Sequence, residues 1–132
     1  MYIGYVFLCD DASLQKCLTS KNYSCVGEAA KTAEEVQDGA VVFLYDSNRD
    51  TVTGPFTASG VSTSELEPGA WATSVDLKNV AANIRVTWES LHEAQKAARR
   101  FPFLKETKNC RLTQLQTQEL LNTLKEAPDL KL

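Results

Sequence analysis

No stretch of this 132-residue chain approaches the roughly 20 consecutive apolar residues that a membrane span requires, so no transmembrane helix is expected. Met1-Tyr2-Ile3-Gly4 lacks the basic n-region and small-residue cleavage site of a secretory signal, which makes a cytosolic location the expectation. The four cysteines, Cys9, Cys17, Cys25 and Cys110, include no C-x-x-C pair, and the first three recur every eight residues, a spacing that closes no tetrahedral zinc site. They read as reduced thiols. The single histidine, His92, falls in a segment that reads as helical, and no serine or cysteine sits in a strained turn that would expose a nucleophile. The six glycines (Gly4, Gly27, Gly39, Gly54, Gly60 and Gly69) are isolated, so no glycine-rich loop cradles a phosphate. These absences predict no metal, no cofactor and no enzyme: a binding module whose catalysis, if any, belongs to a fused or partner chain.

What is present is a chain of the size of one domain, residues 1–132, with no repeat, low-complexity tract or linker. Its net charge of -3 is uneven. Residues 1–76 hold 4 basic and 11 acidic side chains, whereas 77–132 hold 10 basic and 6 acidic ones. Within the second part, Lys96, Arg99, Arg100, Lys105, Lys108 and Arg111 are opposed only by Glu106 and are interleaved with Phe101 and Phe103. Cations mixed with aromatics are the footprint of a phosphate-contacting surface, and equally of a solvated helix end whose dipole favours cations.

Local patterning predicts an α+β chain. Tyr2 to Leu8 is apolar, aromatic and β-branched, and it stops at Asp10-Asp11: a strand followed by helix-capping residues. Ser13 to Ser20 carries Leu14, Cys17 and Leu18 at helical spacing, Asn22-Tyr23-Ser24 reads as a loop, and Glu28 to Gln37 as a helix closed by Gly39. Val41-Val42-Phe43-Leu44-Tyr45 is a buried strand, Asp46 to Asp50 a hairpin turn, and Thr51 to Ala58 its return strand. Pro55 cannot donate to a ladder, so that strand is either interrupted there or lies at an edge, and Gly54 suggests a bulge.

Ser59 to Val75 is long for a passive connection, and such loops on a rigid scaffold commonly hold ligands. Trp71 sits in it, either as a pocket wall or as a plug in the core. Val80 to Trp88 alternates as a half-buried strand, with Arg85 on its polar side and Trp88 on its core side. Glu89 to Arg99 reads as a helix broken by Phe101-Pro102-Phe103, with His92 facing solvent. Thr113 to Lys125 is a last helix with Thr113 and Gln116 at capping-box spacing and an apolar stripe of Leu112, Leu115, Leu120, Leu121 and Leu124.

Taken in order, Gly4-Tyr5-Val6-Phe7, Glu28-Ala29-Ala30, Val42-Phe43-Leu44-Tyr45, Gly54-Pro55-Phe56-Thr57-Ala58, Pro68-Gly69-Ala70-Trp71 and Ile84-Arg85-Val86 resemble the development and cell death (DCD) domain over roughly residues 2–124. That family shows a strand ending in "FLY", a "G-x-F-x-A" strand, a "P-x-A-W" loop and an "x-V-R-V" strand in this sequence. The resemblance implies a PUA-like fold, a small mixed β-barrel flanked by helices, shared with YTH and EVE domains.

It also implies a nucleic-acid-binding module. Domains of this kind extrude a modified base, hold it between aromatic side chains and read its edge with polar groups after the first strand. Some serve as recognition domains of modification-dependent restriction systems that read methylated DNA. By this resemblance Trp71 is the loop tryptophan of the cage. Cys9, Asp10 and Asp11 match the polar segment after strand 1, and Asn22, Tyr23 and Ser24 lie near the second wall. YTH domains have a tryptophan near that wall, whereas this chain has only Tyr23. For Asp10 and Asp11 the alternative is a pair of helix N-caps. Arg85, Lys96, Arg99, Arg100, Lys105, Lys108 and Arg111 would hold phosphates, of DNA or RNA. The same resemblance also implies an alternative role, a protein-interaction module in stress signalling.

Overall fold

The apolar run at Val41–Tyr45 is continuous because its strand is covered on both faces. The computed structural model describes residues 4–26, 28–65, 80–105 and 111–130. In chain order the elements are β1 (Gly4–Cys9), α1 (Asp11–Ser20), β2 (Asn22–Val26), α2 (Glu28–Ala33), β3 (Val41–Asp46), β4 (Thr51–Glu65) and β5 (Val80–Thr87). There follow β6 (His92–Gln95), α3 (Ala97–Arg100), a 3-10 turn at Pro102–Lys105, β7 (Arg111–Leu112) and α4 (Gln114–Glu126). The strands form one mixed sheet in the order β2-β5-β4-β3-β1-β7, with β6 also paired to β4. Among the described residues only β1 and β3 run parallel, Gly4 facing Val41 and Cys9 facing Asp46, and α1, β2 and α2 make the crossover between them.

Alternation along the strands builds two apolar layers. Tyr5 and Phe7 of β1 with Val42 and Leu44 of β3 face a cluster that holds Leu14 and Cys17 of α1, Ala30 and Ala33 of α2, Tyr23 of β2, Phe56 of β4 and Ile84 and Val86 of β5. Val6, Phe43 and Tyr45 point the other way, onto Ala97 and Ala98 of α3, Phe101, Leu104, and Leu120 and Leu124 of α4. Phe7, Phe43 and Phe56 are wholly buried, and each ring removed from such a site costs about 3–5 kcal/mol.

The sheet curls around the first cluster. Tyr23 on the edge strand β2 brings its ring within 5.5 Å of Phe7 on β1, and its hydroxyl donates to the Leu8 carbonyl. Among the described residues no backbone ladder joins β2 to β1. The result is an open, helix-flanked barrel, the α+β architecture expected of a PUA-like chain.

Caps set the helix ends. Asp10 accepts from the Ser13 amide at 2.7 Å while its own amide donates to Ser13 Oγ at 2.9 Å. Thr113 and Gln116 make the same reciprocal pair at the start of α4, at 3.1 and 2.9 Å, as their spacing predicts. Leu115 lies 69% exposed on α4, so the expected apolar stripe omits it.

Four expectations give way. Asn22-Tyr23-Ser24 is not a loop but the start of β2, because its alternation lets Tyr23 and Cys25 enter the core while Asn22 and Ser24 face out. The expected helix over Glu89–Arg99 is replaced by β6 and the single-turn α3: pairing of His92–Gln95 with Thr51–Gly54 outweighs the helix propensity of Glu, Ala and Gln. His92 is accordingly only 15% exposed, its Nδ1 lying 3.0 Å from the Ala127 carbonyl and 3.1 Å from Asp129. The helix expected over Glu28–Gln37 ends at Ala33. Finally, β4 does not end at Ala58 but continues to Glu65, which shortens the expected Ser59–Val75 loop.

Pro55 is an interruption rather than an edge. On one side of β4 the register passes from Leu44–Thr53 to Val42–Phe56. On the other, β6 pairing ends at Gly54 and β5 pairing begins at Thr57.

Candidate functional site

The polar segment after β1 is built as a helix start. Asp10 is the N-cap of α1 and Asp11 its first residue, both exposed. The Ser13 amide, then the Ser13 hydroxyl, bond the Asp10 carboxylate and hold its pKa below the ordinary value. Its lone pairs are thus partly committed to the cap. Cys9 is half-buried beside Asp46; burial, then the neighbouring carboxylate, push its thiol up to about 12. At neutral pH it is an uncharged thiol, neither a nucleophile nor a ready metal ligand.

Asn22 and Ser24 project from the outer face of β2, where β5 places Asn83 and Arg85 opposite. Asn83 Oδ1 accepts from Asn22 Nδ2 at 3.1 Å and from Ser24 Oγ at 2.6 Å, which ties the two strands together. Beside them β4 bulges. Ala58 pairs Val86 and Val61 pairs Ile84, so Ser59 and Gly60 together face the single residue Arg85. Gly60 takes φ +146, which side-chain-bearing residues rarely adopt. The bulge opens a polar cleft of about 220 Å³ lined by Asn22, Ser59, Gly60, Val61, Asn83 and Arg85. Tyr23, by contrast, is turned to the opposite face and 5% exposed, in ring contact with Phe7.

Among the described residues the basic segment does not gather into one surface. Lys96, Arg99 and Arg100 are exposed on and before α3, near the turn that follows β3. The turn holds α3 through Asp50: its carbonyl accepts from the Ala97 amide at 3.1 Å, and its Oδ1 accepts from the Ala98 amide at 2.9 Å and the Tyr45 hydroxyl at 2.7 Å. Arg111 lies at the other end of β1, opposite Tyr5, where its Nε donates to Glu35 at 2.9 and 3.0 Å and its Nη2 donates again to the same carboxylate. A guanidinium so engaged is not offered to a phosphate. Phe101 is 5% exposed and Phe103 packs against it at 5.7 Å, so the interleaved aromatics belong to the core and not to a stacking surface. Lys105 closes the 3-10 turn, and Lys108 lies outside the described residues.

Trp71 also lies outside the described residues. Its segment leaves the sheet at Glu65 and returns at Val80, which pair with each other, close to the end of β2 where Val26 pairs with Ala81. Just before Cys9–Asp11, the Leu8 carbonyl accepts from the Tyr23 hydroxyl of β2. Trp88 packs against the core on the side its alternation predicts, partly buried and edge-on to Phe56 at 5.6 Å, with Lys21 Nζ 5.7 Å from its ring centre.

Asn83, Ser59 and Gly60 were not singled out from the sequence. An isolated glycine in a β-rich segment is a bulge signal that would have pointed to them. A larger cavity, about 520 Å³, lies elsewhere, between β6, α3 and the end of α4. It is lined by Glu93, Glu126, Asp129 and Arg100 together with Ala94, Phe101 and Pro128. Among the described residues no cluster of His, Cys, Asp or Glu could hold a metal ion.

Comparison with known proteins places this arrangement. A family model described as the development and cell death domain matches residues 3–123. A hypothetical protein from Leishmania major has a similar fold, with a TM-score of 0.58 at 10% identity over 96% of both chains. So has the YTH domain of the Zygosaccharomyces rouxii MRB1 protein, solved in complex with N6-methyladenosine RNA, with a TM-score of 0.58 at 13% identity over 96% of this chain and 88% of that one. No curated protein sequence matches the chain.

Proposed function

The chain belongs to the development and cell death domain family, and from that premise we propose that it is a nucleic-acid-binding module without catalysis of its own, working in the cytosol. The observation that carries this reading is the fold it shares with a YTH domain solved on N6-methyladenosine RNA. On this reading a modified or flipped base is received beside Trp71, while cations on the sheet and on α3 hold the strand. Extruding a base costs a few kcal/mol, offset by stacking and by hydrogen bonds in a dry pocket. Because Tyr23 is committed to the core, the base has one aromatic wall from this chain rather than the two of a YTH cage. Such a pocket favours stacking over tight enclosure of a methyl group. Methylated DNA, the substrate of restriction-system recognition domains, is the alternative nucleic acid for the same pocket.

Titration of labelled single-stranded RNA and DNA, with and without N6-methyladenosine, tests this at several salt concentrations. Binding through phosphates weakens linearly in log-log form, by about 0.7 in slope per phosphate on a single strand. No detectable binding at low salt would sink the reading.

A second reading, a protein-interaction module in stress signalling, draws on the groove of about 520 Å³, whose apolar and acidic lining residues suit a basic peptide. Retention of basic peptides together with indifference to every oligonucleotide would favour it.

A further inference from the structure

We infer that the bulge cleft on the outer face of β2, β5 and β4 is a phosphate site, filled by a backbone phosphate of the bound strand; the choice of strand rests on the nucleic-acid reading above. Three features of the cleft carry the inference.

The first is its hydrogen-bonding sense. Asn83 Oδ1 is saturated by Asn22 Nδ2 and Ser24 Oγ. That fixes which end of the Asn83 amide remains, and its Nδ2 hydrogens are donors with no partner among the described residues. The second is charge. Arg85 is exposed, in no ion pair among the described residues, and no carboxylate lines the cleft. An unneutralised guanidinium fork beside an amide donor matches a phosphate oxyanion, which takes two parallel N–H bonds. Arg111, tied up by Glu35, shows the contrasting case within the same chain.

The third is space. The two-residue excursion at Ser59–Gly60 sets a bulge opposite Arg85, where Ser59 Oγ donates to the Arg85 carbonyl at 3.3 Å, and a Cβ built on Gly60 meets nothing within 4 Å. A cleft of about 220 Å³ is below the usual size of a ligand pocket and suits a phosphate with part of its sugar. Tyr23, on the other face of β2, takes no part. The cleft therefore sets where the strand's backbone runs, separately from whatever pocket receives a base.

Arg85→Gln tests the site, because an exposed side chain with no ion-pair or hydrogen-bond partner among the described residues can be changed with the fold intact, as circular dichroism would verify. Single-stranded RNA is titrated into the wild type and the variant over a range of salt, and inorganic phosphate into the wild type, followed by the NMR signal of Arg85 Nε. The expected result is that RNA binds, that Arg85→Gln weakens it roughly tenfold and lowers the salt slope by nearly one contact, and that phosphate shifts the Nε signal. RNA binding that is unchanged in affinity and slope by Arg85→Gln, with no shift from phosphate, overturns the site and leaves the nucleic-acid reading standing. Phosphate that shifts the signal while no RNA binds overturns that reading instead, and the strand phosphate with it, and leaves a site for free phosphate.

Discussion

Gly4 is where β1 lies tightly against Thr117 of α4, and replacing it with alanine would force the two apart. A Cβ on Gly4 would lie 2.5 Å from Thr117 Oγ1, 2.9 Å from its Cγ2 and 3.2 Å from its Cβ. Thr117 is fully buried, and its hydroxyl donates to the Thr113 carbonyl at 2.8 Å. Rotating its side chain moves Oγ1 and Cγ2 but not Cβ, so strand or helix must shift by tenths of an ångström. Overpacking of this kind costs about 1–3 kcal/mol. Gly→Ala also removes freedom from the unfolded chain, which returns about 0.4–1 kcal/mol. The net expectation for Gly4→Ala is a loss of about 1–2 kcal/mol, read from urea unfolding as a lower midpoint at constant slope.

Thr117→Ala removes the two clashing atoms, and Thr113 O keeps the Thr117 amide as a donor at 2.9 Å. Alone it should cost about 1 kcal/mol or less, since a lost methyl of about 0.8 kcal/mol is partly offset by better helix propensity. In the double variant the new methyl fills the vacated space, so the two changes should couple favourably by about 1–2 kcal/mol, well above the scatter of independent sites. Additive losses, or a Gly4→Ala variant as stable as the wild type, would refute this account of how α4 seals the sheet.

Removing the N-cap of α4 with Thr113→Ala should cost about 1 kcal/mol in the same assay, and Thr113→Ser very little. Because Arg111 is held by Glu35, Arg111→Gln should leave oligonucleotide affinity and salt slope unchanged; a loss comparable to that of Arg85→Gln would contradict its assignment. Stability should also fall with acid through Asp46: burial pushes its pKa up, but bonds from Arg49 and from the amides of Arg49 and Asn48 outweigh it and hold it below 3.8. A depressed folded value means that this contribution is complete above the unfolded pKa and is lost as pH falls through the folded one. The urea midpoint of Asp46→Asn should therefore lie below wild type near neutrality and approach it in acid, and a constant gap down to pH 2 would refute this.

Elements set by local rules were legible in the sequence. The capping role of Asp10, the Thr113–Gln116 capping box, the Asp46–Asp50 turn and the doubly buried β3 follow from residues within a few positions of one another. Where a partner far along the chain decides, local reading failed. His92–Gln95 has a helical composition and becomes a strand because Thr51–Gly54 offers a ladder. The basic run looked like one patch because Glu35, 76 residues before Arg111, is invisible to a local count of charge. Phe101 and Phe103 likewise read as surface aromatics until α3 and α4 bury them. The cleft around Arg85 needs three strands and a bulge to exist, and the sequence alone points only to its Arg85 and Asn22.

The central claim is that a base stacks on Trp71, and tryptophan fluorescence tests it most directly. In a Trp88→Phe background Trp71 is the sole tryptophan. Addition of N6-methyladenosine RNA should quench its emission in step with binding, and Trp71→Ala should abolish the preference for methylated over plain RNA. RNA that binds without quenching, or a Trp71→Ala variant that keeps both affinity and preference, would contradict it.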